Sequence, residues 1–210
     1  MKKTKHSITF LAGRYIAHLL IEQLPSNLVF HNFHHTVNVV RGVRDIAKQL
    51  ALSKTQKEIL LLAAWFHDSG LIKVYKGHEI ESQNLAKTFL QAANYTEEHL
   101  IQVLACIAAT KMPQAPRNLL EEVICDADLY HLSLLDYCHL QALLRAEWQQ
   151  VLGKPYTDSE WMKENIYFLT THEYWTTYGK VVLQNSKELN IERYKELFEN
   201  SALKTIISNR

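Results

Sequence analysis

Glycine and proline are scarce, 6 and 4 among 210 residues, and a β-rich fold needs more turn punctuation than that. Convincing alternation of apolar and polar residues is missing too, so no segment reads as a half-buried strand. The three cysteines, Cys106, Cys125 and Cys138, are too few and too scattered for a disulfide framework or a paired-cysteine zinc site. Each lies in an apolar run and reads as a buried thiol. No run approaches the ~18 apolar residues of a membrane span. The stretch Ser7 to Ala12, which follows a basic start, is cut off at Arg14, short of the roughly 7–15 apolar residues of a signal-peptide core. A formal net charge of +1 argues against electrostatic binding to a nucleic-acid polymer. The expectation is a soluble cytoplasmic protein with neither a membrane nor a nucleic-acid polymer as partner.

What the chain does have is helical periodicity and enough apolar residues, 47%, to build a substantial core. Ile8, Leu11, Ala12, Tyr15, Ile16, Leu19 and Leu20 recur at helical spacing until Pro25. A second helix is expected from about His35, with Val37, Val40, Val43, Ala47 and Leu50 on one face and Arg41, Arg44 and Lys48 on the other. Ser53-x-x-Gln56 is a capping box for a helix running to about Asp68. That helix is apolar almost all round, which marks it as central. Gly70 permits a helix end, and His78 opens the next helix, with Ser82, Leu85 and Phe89 on its face. Thr96 is a candidate cap for a helix ending near Ala109, before Pro113 and Pro116. Further helices are expected over Asn118 to about Leu135, on to about Leu152, from the Thr157-x-x-Glu160 capping box, and over about 174–189 and 191–207. With no repeat or linker, residues 1–210 read as a single all-α domain. Its core is placed at about 27–150, with the C-terminal helices, 157–207, packing on it.

The chemistry-bearing residues gather at helix ends. Phe30-His31-Asn32-Phe33-His34-His35-Thr36 packs three histidines into five positions. Trp65-Phe66-His67-Asp68-Ser69-Gly70 sets a histidine beside an aspartate after an apolar run. Cys125-Asp126-Ala127-Asp128-Leu129 puts two carboxylates into another. Taken singly, His67 could be a satisfied core histidine and Asp68 a helix-end residue. An acid at a helix C-terminus works against the helix dipole, however, and needs a compensating cation. Asp126 and Asp128 within an apolar helix raise the same question, because a buried carboxylate loses its hydration and is expensive unless paired. A bound metal ion supplies that cation, and mixed His and Asp donors suit zinc, manganese, iron or magnesium.

In order along the chain, His35, then His67-Asp68, then Asp128 resemble the H…HD…D pattern of the HD superfamily of metal-dependent phosphohydrolases, which are all-helical. The likeness spans roughly residues 27–150. Phe30-His31-Asn32-x-x-His35 is similar to the YHNxxH opening of the cyclic-nucleotide phosphodiesterase branch. His78-Glu79-x-x-Ser82, Ala109-Thr110-Lys111-Met112-Pro113 and Asp126–Leu129 are similar to segments of small predicted HD phosphohydrolases. Residues 160–195, with His172-Glu173-Tyr174, continue the likeness less specifically. The DADL context favours Asp128 over Asp126 as the last ligand.

The resemblance implies a divalent ion (Mn, Zn, Mg, Fe, Ni or Co) held by His35, His67, Asp68 and Asp128, with Asp68 able to bridge to a second ion. It implies a small phosphorylated metabolite or nucleotide as substrate. Asp68 and His31 become catalytic candidates, His31 as proton donor to the leaving group or, alternatively, a hydrogen-bonded turn histidine. Lys111 becomes a candidate catalytic and phosphate-binding charge, or simply an exposed lysine. His78 becomes a candidate contact to the phosphate or to a metal-bound water, or simply a helix N-terminal residue, and Glu79 and Ser82 candidates for orienting ligands. Two-metal branches add a histidine soon after the HD pair, which His78 fits, and another shortly before the last aspartate, where this chain has Ala109-Thr110. His34 is expected to point away, and His131 to pack or to line the pocket. The rival readings are a non-catalytic nucleotide-sensing module and a di-iron oxygenase on the same scaffold.

Overall fold

Helical periodicity and sparse turn residues lead to an all-helical chain. The computed structural model describes residues 6–208, and in these it holds nine α-helices and no strand. They are α1 Ile8–Gln23, α2 Phe33–Gln49, α3 Lys54–Phe66, α4 His78–Ala92, α5 Glu97–Ala109, α6 Leu119–Asp128, α7 Tyr137–Leu152, α8 Asp158–Thr171 and α9 Gln184–Ser208. None of the described helices is long and apolar enough to cross a membrane. The chain divides between Leu129 and Tyr130 into two compact units.

In the first unit α3 is the central element, touching α1, α2, α4, α5 and α6. Its apolar run explains this: Ile59, Leu60, Leu62, Ala63, Ala64 and Phe66 are all buried, and the face with Lys54, Glu58, Leu61 and Trp65 is the one that water still reaches. The Ser53–Gln56 capping box forms as the sequence suggests, with Gln56 Oε1 accepting from the Ser53 amide at 2.9 Å. Helix α2 packs against both α3 and α6 through Val39, Val40, Val43, Ile46 and Ala47. These packings bring the start of α2, the end of α3 and the end of α6 together. One start and one cap differ from expectation. Helix α2 begins at Phe33, because the Asn32 side chain accepts hydrogen bonds from the amides of His34 and His35. Thr96 precedes α5 without making a side-chain cap.

In the second unit α9 packs against α7 and α8. Tyr137 donates to Asn165 Oδ1 at 2.8 Å, and Trp161 lies edge-on to Trp148 and Tyr156. Lys187 is buried, its amine donating to the His172 carbonyl and lying 5.4 Å from the Tyr174 ring centre. The expected break near residue 190 does not occur. One helix runs on from Gln184, preceded by a π-helical turn over Gly179–Leu183. Asn190 does not cap or break it, because its side-chain amide is buried and donates to the Leu132 and Leu134 carbonyls.

Candidate metal centre

Each candidate ligand sits at a helix end whose local chemistry fixes it. The Asn32 cap sets the first turn of α2 and so places His35, which is buried. His67 follows the last residue of α3 and is fully buried; its Nδ1 faces the Ala64 carbonyl at 2.9 Å. That carbonyl can only accept, so Nδ1 carries the proton of the neutral ring and Nε2 is left with a lone pair. Asp68 opens a 3₁₀ turn, Ser69–Ile72. Asp128 is the last residue of α6, and the chain tightens into a 3₁₀ turn from Leu129 rather than continuing as one helix to Leu135.

The donor atoms converge. His35 Nε2 lies 3.3 Å from His67 Nε2 and 3.2 Å from Asp128 Oδ1. Asp128 Oδ1 is 3.4 Å from His67 Nε2. Asp68 Oδ2 is 3.2 Å from His67 Nε2 and 3.4 Å from His35 Nε2. His35, His67 and Asp128 form a compact donor group by mutual distance, and Asp68 adjoins it through both histidines. Neighbouring ligands about 2.0–2.2 Å from one shared ion stand roughly 3–3.6 Å apart, which is the spacing found. Asp68 Oδ2 is also buried without a hydrogen-bond donor, and two ring nitrogens face each other across 3.3 Å. A cation among them would satisfy both features, so the residues fit a divalent metal.

The electrostatics of the metal-free cluster show the same demand for positive charge. Burial works against a charged His67, but the carboxylates of Asp68 and Asp128 outweigh it and hold the imidazolium well above its ordinary range. Burial likewise opposes ionised Asp68, yet the neighbouring His67, His78 and His35 hold its carboxyl well below the usual carboxylate range. Asp128 is lowered in the same way, burial being overcome by hydrogen bonds from His35 and His67. His78 stands just outside. Its Nε2 is 3.1 Å from Asp68 Oδ1, and its Nδ1 faces the Tyr75 carbonyl at 2.9 Å. Burial lowers it, but Asp68, the Tyr75 carbonyl and Glu79 raise it to about 9.

These directions set a pH test. In metal-free protein, the stability contributed by the carboxylates is complete above about pH 4 and lost as pH falls through their depressed values. That contributed by the imidazoliums is complete below about pH 6.5 and lost as pH rises through about 9 at His78. Metal must displace the proton of His67, so metal binding strengthens with rising pH. The melting temperature of stripped protein is therefore expected to fall from pH 6 to pH 9, while the rise produced by added Mn²⁺ grows. Thermal melts with and without metal check this, and a metal-induced rise that shrinks with pH contradicts it.

The other sequence candidates are placed as follows. His31 precedes the Asn32 cap, so it is not a helical turn away from His35 on one helix. Its ring stands edge-on to that of His35, 5.6 Å between centres, and to Tyr75 at 6.1 Å. His34 is exposed and faces Asn38. Asp126 is fully buried and is not a member of the His35, His67 and Asp128 donor group. Lys111 is exposed beyond the end of α5, and no described contact joins its amine to the cluster. His131, in the second unit, stacks on Tyr137 at 6.4 Å. Sequence reasoning missed Tyr75, whose contribution is a backbone carbonyl, and the tight packing at Gly70. Side-chain exposure runs 0% at His67, 5% at His35, 9% at Asp68, 17% at Asp128 and 19% at His78. Asp128 and His78 are thus the most solvent-exposed members of the cluster.

Residues 32–133 match the model of the HD domain family. No curated protein matches the chain. A solved structure from Lactobacillus plantarum, a structural genomics target, is similar with a TM-score of 0.64 at 16% identity, over 93% of this chain and 99% of that one. At that identity the likeness speaks for the fold.

Proposed function

Because the chain carries an HD domain over residues 32–133 and so belongs to the HD superfamily, whose members are generally metal-dependent phosphohydrolases, we propose that it hydrolyses a phosphate ester of a nucleotide or similar small metabolite. The observation that carries this reading is the convergence of His35 Nε2, His67 Nε2, Asp68 Oδ2 and Asp128 Oδ1 at 3.2–3.4 Å. These four residues would hold the ion. A divalent cation there supplies an acidified water and polarises the phosphoryl oxygens. The two carboxylates would balance one divalent charge, and His78, with its Nε2 3.1 Å from Asp68 Oδ1, would stand beside the ion as a further partner for an anionic ester.

His31 is assigned the proton donation. As the P–O bond to the leaving group breaks, an imidazolium beside the centre gives its ring proton to the departing alkoxide, and water supplies the new P–O bond. General acid catalysis is worth roughly 10²–10⁴-fold, and a leaving group that departs as a stable anion needs little of it. His31→Ala is therefore expected to slow hydrolysis of an alkyl phosphate about a hundredfold, to change p-nitrophenyl phosphate turnover far less, and to leave metal content unaltered. Equal loss on both esters, or no loss on either, removes the role. Lys111 is kept as a phosphate-binding candidate on charge alone.

The function is tested by screening phosphorylated metabolites for phosphate release with metal-loaded protein, with and without chelator. Turnover that stops with chelator and returns with metal supports the reading. Metal without turnover of any ester favours a sensing module, and two irons with oxygen uptake favour an oxygenase.

A further inference from the structure

We propose that Ser82 is a positioning residue that acts through the Gly70 amide to fix which oxygen of Asp68 faces the metal centre. The inference rests on the metal-binding reading of the cluster. Helix α4 carries His78 and Ser82 four residues apart, hence on one face, and that face meets the 3₁₀ turn bearing Asp68. Ser82 is completely buried, and its Oγ accepts the Gly70 N–H at 2.8 Å. The approach is very close: a Cβ on Gly70 would stand 2.1 Å from the His78 carbonyl oxygen and 2.7 Å from the Ser82 nitrogen. Only a glycine lets the turn seat there.

The turn is pinned elsewhere as well. Ser69 Oγ donates to the Phe66 carbonyl at 2.7 Å, and the Leu71 amide donates to the Asp68 carbonyl at 3.1 Å. With the turn seated on α4, His78 Nε2 meets Asp68 Oδ1 at 3.1 Å, the other side of its ring being held by the Tyr75 carbonyl. One carboxylate oxygen is thereby occupied. The other, Oδ2, is left facing His67 and His35 with no hydrogen bond of its own. Loss of the Ser82 oxygen leaves the Gly70 N–H buried without an acceptor, loosens the turn from α4 and frees the carboxylate to rotate. A purely structural serine would lower stability without singling out the metal.

A double-mutant cycle separates the two. Mn²⁺ is titrated calorimetrically into chelator-stripped wild type, Ser82→Ala, His78→Ala and the double variant, each with its melting temperature. Partners behind a ligand typically cost about 10–100-fold in metal affinity, and Ser82→Ala is expected to weaken Mn²⁺ by that amount. In the His78→Ala background the same change should cost less than about threefold, since the contact it maintains is already gone. Ser82→Cys, which fills the space with a poor acceptor, carries the test should Ser82→Ala not fold, and is expected to weaken Mn²⁺ as well. Either serine variant binding Mn²⁺ like wild type, with only its melting temperature lowered, overturns the proposal. So does an undiminished effect in the His78→Ala background. Failure of wild type itself to bind Mn²⁺ overturns the metal reading and this inference with it, whereas wild-type binding with an unaffected Ser82→Ala overturns this inference alone.

Discussion

Asp68→Ala is expected to fold and to lose more than a hundredfold in divalent-metal affinity, with metal-dependent phosphate release falling to background. The magnitude follows from position. Residues that merely orient a ligand cost about 10–100-fold, and Asp68 Oδ2 stands at the donor group itself, 3.2 Å and 3.4 Å from the two histidine nitrogens, where it would bind the ion directly. Folding survives because the positive charge facing Asp68 is dispensable. His78 is held protonated chiefly by this carboxylate and His67 by Asp68 and Asp128 together, so without Asp68 the His78 ring sheds its proton and His67 keeps Asp128 as its partner, and neither remains a buried unpaired charge. Thermal melts distinguish this from simple misfolding. Stripped wild type and stripped variant should melt within a few degrees of one another, and the rise that Mn²⁺ gives wild type should vanish in the variant. An unchanged Mn²⁺ effect would remove Asp68 from the ligand set.

Gly70→Ala is expected to be the most damaging small substitution near the site. The added methyl would stand 2.1 Å from the His78 carbonyl oxygen, 2.7 Å from the Ser82 nitrogen and 2.8 Å from Glu81 Cβ. Two of these are backbone atoms inside a helix and cannot step aside. Ordinary overpacking costs about 1–3 kcal/mol, and this contact belongs at or beyond the upper end. In a chain of this size about 3 kcal/mol lowers the melting temperature by roughly 6–12 °C. Gly77 provides the contrast. Its φ is +75° with nothing within 4 Å of an added Cβ, so Gly77→Ala carries only the left-handed backbone penalty, about 1–2 kcal/mol. A Gly70→Ala variant melting no lower than Gly77→Ala would mean that the turn and α4 can separate freely.

Side-chain chemistry made much of this site legible, and backbone chemistry hid the rest. His35, His67, Asp68 and Asp128 announce themselves as polar residues at the ends of apolar helices, and the structure brings them together because α2 packs on both α3 and α6. Helix starts with a capping box, Ser53–Gln56 and Thr157–Glu160, are readable because both partners are local. Tyr75 was not readable: what it contributes is a carbonyl to His78, and any residue has one. Gly70 reads as a plain helix end, while its actual constraint is a neighbour distant in sequence, α4. The end of α6 at Asp128 escapes the apolar pattern, which continues past it, because the tightening is a matter of backbone bonds from the Leu129 amide to the Cys125 and Ala127 carbonyls. The unbroken course of α9 at Asn190 depends on the Leu132 and Leu134 carbonyls, again a tertiary partner that no local window contains.

The central claim is that one buried cluster of histidine and aspartate side chains holds a divalent ion. Metal content per chain, measured on wild type and on His67→Ala after loading with Mn²⁺ and removal of excess metal, tests it most directly. His67 is the fully buried ligand whose Nδ1 is tied to Ala64 and whose Nε2 has no purpose outside the cluster. The expected result is about one tightly held ion or more per wild-type chain and essentially none in the variant. Wild type that retains no metal, or a variant that retains as much as wild type, contradicts it.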